Sequence, residues 1–117
     1  MFLIFGKKKE KKLLKTGTEL CINESLLKTK DSEIIRYLNV VAHFNTKNEE
    51  QTKLVTHDMI RQCMIRIGYV VDLDMAINQK ARFEEEVNTE INRVIADLPF
   101  LCDTFTIENI SKVEQRR

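Results

Sequence analysis

The chain changes rhythm several times, and each rhythm of apolar and polar positions implies an element. It opens with an unbroken apolar run, Met1–Phe5, followed by Gly6 and KKKEKK, which has neither helical nor strand periodicity. Residues 18–27 (TELCINESLL) alternate, with Leu20, Ile22 and Leu26 on one side, and predict a strand. After the polar turn KTKDSE, residues 34–44 (IIRYLNVVAHF) are dominated by β-branched and aromatic side chains. Ile34, Tyr37, Val40, Val41 and Phe44 fit no single helical stripe, so this segment reads as the second strand of a hairpin. In NTKNEEQ, Asn48 with Gln51 three positions on has the spacing of a capping box, whose side chains satisfy the first free N–H groups of a helix. From Glu49, Leu54, Val55, Met59, Cys63, Met64 and Ile67 recur at helical spacing, with Gly68 as the stop. YVVDLD makes a short strand or a turn. A second helix over 75–98 carries Phe83, Val87, Ile91, Val94, Ile95 and Leu98 on one stripe, and Glu84, Glu85, Glu86, Glu90 and Arg93 on the wet face; Pro99 ends it. Residues 100–110 alternate again, with Leu101, Asp103, Phe105 and Ile107 on one side and Cys102, Thr104 and Thr106 on the other. The order is ββααβ with a polar tail, SKVEQRR. The expected class is α+β, an antiparallel sheet packed against two amphipathic helices.

Length and composition fit one folding unit behind an arm. The 117 residues suit a single core, and 43% hydrophobic against 32% charged residues is too apolar for disorder. Gly17 divides an arm, residues 1–16, from a domain, residues 17–117. The net charge of +1 hides an asymmetry. The arm holds six lysines against Glu10, a net +5, and the other 13 basic and 17 acidic residues give the remainder −4. A reader of DNA or RNA carries its basic stripe on the folded surface, so nucleic acid is not the expected partner. Met1–Phe5 is far short of the ~20 apolar residues of a membrane span, and the lysines follow the apolar run instead of preceding it as in a secretion signal. Cys21, Cys63 and Cys102 are an odd, scattered set, which reads as reduced thiols of a reducing compartment, not a secreted disulfide framework.

The search for chemistry returns little. His57 and Asp58 are adjacent and so point ~100° apart on a helix, unable to act as base and orienting carboxylate. His43 stands alone in an apolar strand and reads as a strand-end or interface residue. Arg61 and Arg66 flank Cys63 in sequence and could activate a thiol, but its place on the apolar stripe makes it a core thiol. FEEEVNTE reads as a solvated face without the second carboxylate set of a di-iron site. DLD lacks the calcium-loop pattern, three glycines in no run give no phosphate cradle, and no Cys or His spacing suits a structural metal. The sequons at Asn23 and Asn109 carry no weight without a secretion signal. No catalytic residue, cofactor or metal is assigned.

One family is similar in layout. LCINESLLKTKDSEIIRYLNVVAHF resembles the opening hairpin of the soluble domain of FliL, the stator-associated protein of the flagellar basal body, with Arg36, Tyr37 and Leu38 opening the second strand. EEQTKLVTHDMIRQCMIRIGYVVDL is similar to that domain's first helix and link, KARFEEEVNTEINRVI to its second helix and DTFTIENI to its closing strand. FliL proteins carry a transmembrane helix ahead of this domain, where the present sequence has MFLIFGKKKEKK. The resemblance implies a stomatin-like fold, ring-forming self-association and no enzymatic activity.

The expected function is therefore a non-enzymatic structural or assembly component of a larger protein machine. Its contacts are the sheet edge and the arm, in which Phe2, Leu3, Ile4 and Phe5 form a plug and Lys7, Lys8, Lys9, Lys11 and Lys12 a polar collar. The expected partners are protein subunits, as a homo-oligomer or a multi-protein assembly. A virion tail or baseplate component, or a peripheral adaptor whose basic arm meets an anionic membrane surface, is the alternative.

Overall fold

A computed structural model describes residues 17–114. Two long strands, β1 (Thr18–Lys28) and β2 (Ile34–Phe44), form an antiparallel hairpin, with Thr18 opposite Phe44 and Lys28 opposite Ile34. Four helical segments follow: α1 (Glu49–Thr52), α2 (His57–Gly68), α3 (Leu73–Asn78) and α4 (Lys80–Val94). Strand β3 (Cys102–Lys112) then returns antiparallel to β2, which makes β2 the central strand of a sheet ordered β1-β2-β3. The result is a small α+β domain. One hydrophobic core draws on the strands through Ile22, Tyr37, Phe44 and Ile107 and on the helices through Ile60, Met64, Phe83 and Ile91.

The two expected helices each divide, and capping residues explain where. Asn48 caps α1 as anticipated, its Oδ1 accepting from the N–H groups of Glu50 and Gln51, but that helix lasts a single turn. Thr56 starts a new one, its hydroxyl accepting from Met59 N at 3.1 Å. Leu54 falls in the break and is 57% exposed, off the stripe assigned to it. YVVDLD is a turn that ends in a cap, with Asp72 Oδ1 accepting from Met75 N at 2.9 Å, so the second helical region begins at Leu73 instead of 75. It breaks at Gln79 (φ −124°, ψ 50°) and α4 ends at Val94, five residues before Pro99. Val94 is 37% exposed, while Phe83, Val87, Ile91 and Ile95 are buried as expected. Gly68 does end α2. A Cβ there would lie 2.6 Å from Leu27 Cδ1 and 3.2 Å from Lys28 O, so any other residue would have to push the Leu27 side chain aside where the helix meets β1.

The strands depart from strict alternation at one row shared by all three. Buried positions run Leu20 (half-buried) and Ile22 but then Leu27 in β1, Ile35 and Tyr37 but then Val40, Ala42 and Phe44 in β2, and Ile107 but then Ile110 in β3. Asn39 sits at the switch with φ 52° and donates from its side chain to Glu108. Because every strand changes parity in the same row, the pairing register is unchanged on either side of it. This is why Leu26, expected beside Ile22, is 53% exposed and Leu27 is buried.

A second irregularity corrects the closing strand, which runs 102–112 and not 100–110. His43 pairs with Thr104 but Phe44 with Cys102, which leaves Asp103 as an extra residue in β3. The bulge flips the parity, so Cys102 is buried and Leu101 is 56% exposed, the reverse of the expected sides. Asp103 is exposed and does not share the face of Phe105 and Ile107. Phe44 packs edge-on against Phe100 just beyond it (centroids 5.7 Å apart, 87°).

Candidate functional site

A three-stranded sheet has two outer edges, and their chemistry differs. Along α4, Glu84, Asn88 and Asn92 repeat every four residues and so share a stripe, one position on from the buried stripe of Phe83, Val87 and Ile91. That stripe meets β3. The Asn92 carboxamide stands in for a neighbouring peptide, its Oδ1 accepting from Cys102 N at 2.8 Å and its Nδ2 donating to Cys102 O at 3.0 Å. Farther along, Glu84 Oε2 accepts from Ile107 N at 2.7 Å, and Lys80 Nζ donates both to Ile107 O at 2.6 Å and to Glu84 at 3.1 Å. Asn88 lies between these two clamps in a groove also lined by Ala81, Thr104 and Thr106, and its Oδ1 is buried without a hydrogen-bond partner among the described residues. Helix side chains thus occupy the β3 edge, which cannot accept another strand at Cys102 or Ile107.

The β1 edge carries one such contact among the described residues, His57 Nε2 at 2.9 Å from Cys21 O. His57 therefore covers one carbonyl; it and Asp58 are exposed. The remaining length of β1 has β2 on one side and no strand on the other.

The sheet also has a face turned away from the core, made by the exposed and half-buried positions of each strand. Near the start of β1 it holds Glu19, Cys21, Asn23 and Glu24, then Leu38, Val41 and His43 from β2, and Asp103, Thr104, Thr106 and Glu108 from β3. His43 lies on this face yet is only 2% exposed. Its Nδ1 is 3.4 Å from Asp103 Oδ2, and Gly17 covers the ring: a Cβ on Gly17 would fall 2.3 Å from His43 Cε1 and 2.4 Å from Phe44 O. The chain bends at Gly17 at this point. His43, read from the sequence as a strand-end or interface residue, stands next to the last residue of β2, and only glycine fits against its ring.

Glu90 bridges α2 and α4, accepting from Arg66 Nε at 2.7 Å and from both Arg93 Nε (3.0 Å) and Nη2 (2.7 Å). The Arg93 hydrogen bonds first, then that of Arg66, hold its carboxyl down at about 2. Glu84 and Glu90 are therefore not part of a solvated acidic face, unlike Glu85 and Glu86. Burial pushes the Cys63 thiol up despite Arg66 Nη2 at 3.4 Å, and pushes Cys102 up to about 12. Both of these thiols are buried, and Cys21 is the exposed one. Among the described residues no group of His, Cys, Asp and Glu could hold a metal ion, and no helix is long and apolar enough to cross a membrane.

Phe2, Leu3, Ile4, Phe5, Lys7, Lys8, Lys9, Lys11 and Lys12 lie outside the described residues, which begin at the end of that arm. No protein-family model matches the chain, and no curated protein matches it.

Proposed function

We propose that this chain is a non-enzymatic assembly component of a larger protein machine, joined to neighbouring subunits through the β1 edge and the N-terminal arm. The observation that carries the reading is the unequal treatment of the two edges. Side chains of α4 hydrogen-bond the outer backbone groups of β3, the usual way of keeping a sheet from pairing at random, while among the described residues the 11-residue β1 has no strand on its outer side and one side-chain contact there, His57 on Cys21 O. Kinship with the FliL soluble domain belongs to the same proposal and rests on the shared layout of hairpin, helical regions and closing strand.

The test is light scattering of the full chain against two variants. Phe2, Leu3, Ile4 and Phe5 replaced together by Ser should abolish self-assembly with little dependence on salt, and Cys21→Pro should weaken it while leaving the fold intact. A chain that stays monomeric alone and sediments only with anionic vesicles, losing this when Lys7, Lys8, Lys9, Lys11 and Lys12 become Gln, is instead a peripheral membrane adaptor.

A further inference from the structure

We propose that the open face of the sheet is a cradle for the chain's own arm, with the lysine collar lying across its carboxylates and Phe2–Phe5 reaching its aliphatic far end. Three observations converge on that occupant. The first is where the arm leaves the fold. Gly17, where the described chain begins, packs against the His43 ring on the open face and bends there, so the arm is tethered at that face's edge.

The second is charge. The half of the open face nearest Gly17, spanning residues 18–24 of β1, 38–44 of β2 and 102–109 of β3, holds Glu19, Glu24, Asp103 and Glu108 and no Lys or Arg. The cations of this face, Arg36 and Lys28, stand at the other end, with Arg36 reaching back to Glu24 at 3.0 Å. An arm bearing six lysines against one glutamate is the complement of that acidic half.

The third is reach. Phe5 lies twelve residue steps before Gly17, which allows about 40 Å of extended chain. The far end of the open face, where Leu26 is 53% exposed beside half-buried Ile34 and Leu38, begins about 20 Å along the strands from Gly17. The lysines therefore fall over the carboxylates when the apolar residues meet the leucines. A tether this short gives the arm an effective concentration in the millimolar range over its own sheet, which favours the same chain over a second copy.

The inference deepens the assembly reading and rests on it for its purpose: a cradled arm is stored until a neighbour draws it out. Its test is made on dilute monomer, where subunit contact plays no part, so failure here leaves the scattering experiment to judge assembly on its own. Cys21 supplies the reporter, since it lies on the open face and is exposed while Cys63 and Cys102 are buried. A nitroxide attached to Cys21 of the 15N-labelled full chain should broaden the amide signals of residues 2–12, and Glu19→Lys with Glu108→Lys should restore them by at least twofold in intensity. In a mixture of spin-labelled unlabelled-isotope chain and untagged 15N chain, those signals should stay sharp. Arm signals as sharp as those of a free peptide in the single-species sample overturn the proposal, as does broadening in the mixture, which would mean that arms are exchanged between copies. Because the nitroxide itself occupies the face, the untagged charge variant is also compared: unchanged arm chemical shifts on Glu19→Lys with Glu108→Lys likewise overturn it.

Discussion

The β3 edge and the β1 edge belong to the same sheet, yet among the described residues α4 closes one with side chains while a single histidine bonds the outer backbone of the other. Closing β3 takes four residues of α4 positions, Lys80, Glu84, Asn88 and Asn92, three of which bond its backbone. At β1, the turn after the strand is instead tied down at its end, where Lys30 N donates to Val71 O at 2.8 Å and Asp31 accepts from Leu73 N at 3.2 Å. The difference separates stability from contact: the β3 seam holds the helices to the sheet, and on the assembly reading proposed above the β1 side is where a neighbour adds to it.

The largest effect expected from breaking this contrast is at Asn92. Asn92→Ala removes both bonds to Cys102 and leaves buried backbone groups unpaired, so urea unfolding should show a loss of about 2–3 kcal/mol, with concentration-dependent association as the freed edge pairs. Cys21→Pro should by comparison change stability by less than about 0.5 kcal/mol, because a proline on a free edge removes no ladder bond.

At the switch row, Asn39→Val places a β-branched residue at φ 52° and removes the bond to Glu108. It should cost about 1–2 kcal/mol in the same unfolding measurement. A smaller effect follows from Glu90. Its folded-state carboxyl, held at about 2 against an ordinary 4.5, adds stability that is complete above the ordinary value and is lost as pH falls toward 2. Thermal melts should decline across that window, and Glu90→Gln, less stable at neutral pH, should decline less steeply there.

The elements themselves could be read from periodicity because each hides one face: the hairpin, the two helical regions and the closing strand all carry apolar rhythms of the right period. What escaped were features that break a rhythm. Asn39 and the Asp103 bulge each mark a shift of parity, and nothing in an alternating pattern marks an extra residue, so alternation alone places Leu26, Leu101 and Cys102 on the wrong sides. Thr56 and Asp72 are ordinary caps but stood inside runs that already read as continuous helix or link. The Glu84, Asn88, Asn92 stripe was present at a spacing of four beside the buried stripe, yet its carboxylate and amides also suit solvent, and only the position of β3 shows that they face backbone. His43 reads as a strand-end or interface residue from its apolar neighbours, but the cover supplied by Gly17 depends on a contact between positions 26 residues apart.

Amide hydrogen exchange at the two edges tests the central contrast most directly. In an antiparallel strand a residue whose carbonyl turns outward turns its N–H outward too, so Cys21, Cys102 and Ile107 report the two edges on equal terms. In dilute full-length chain, Cys102 and Ile107 should exchange slowly, near the rate set by global unfolding, and Cys21 should exchange fast; on raising the concentration until subunits assemble, protection should rise at Cys21 alone. Equal exchange at all three amides, or assembly that leaves Cys21 unprotected, would contradict the account.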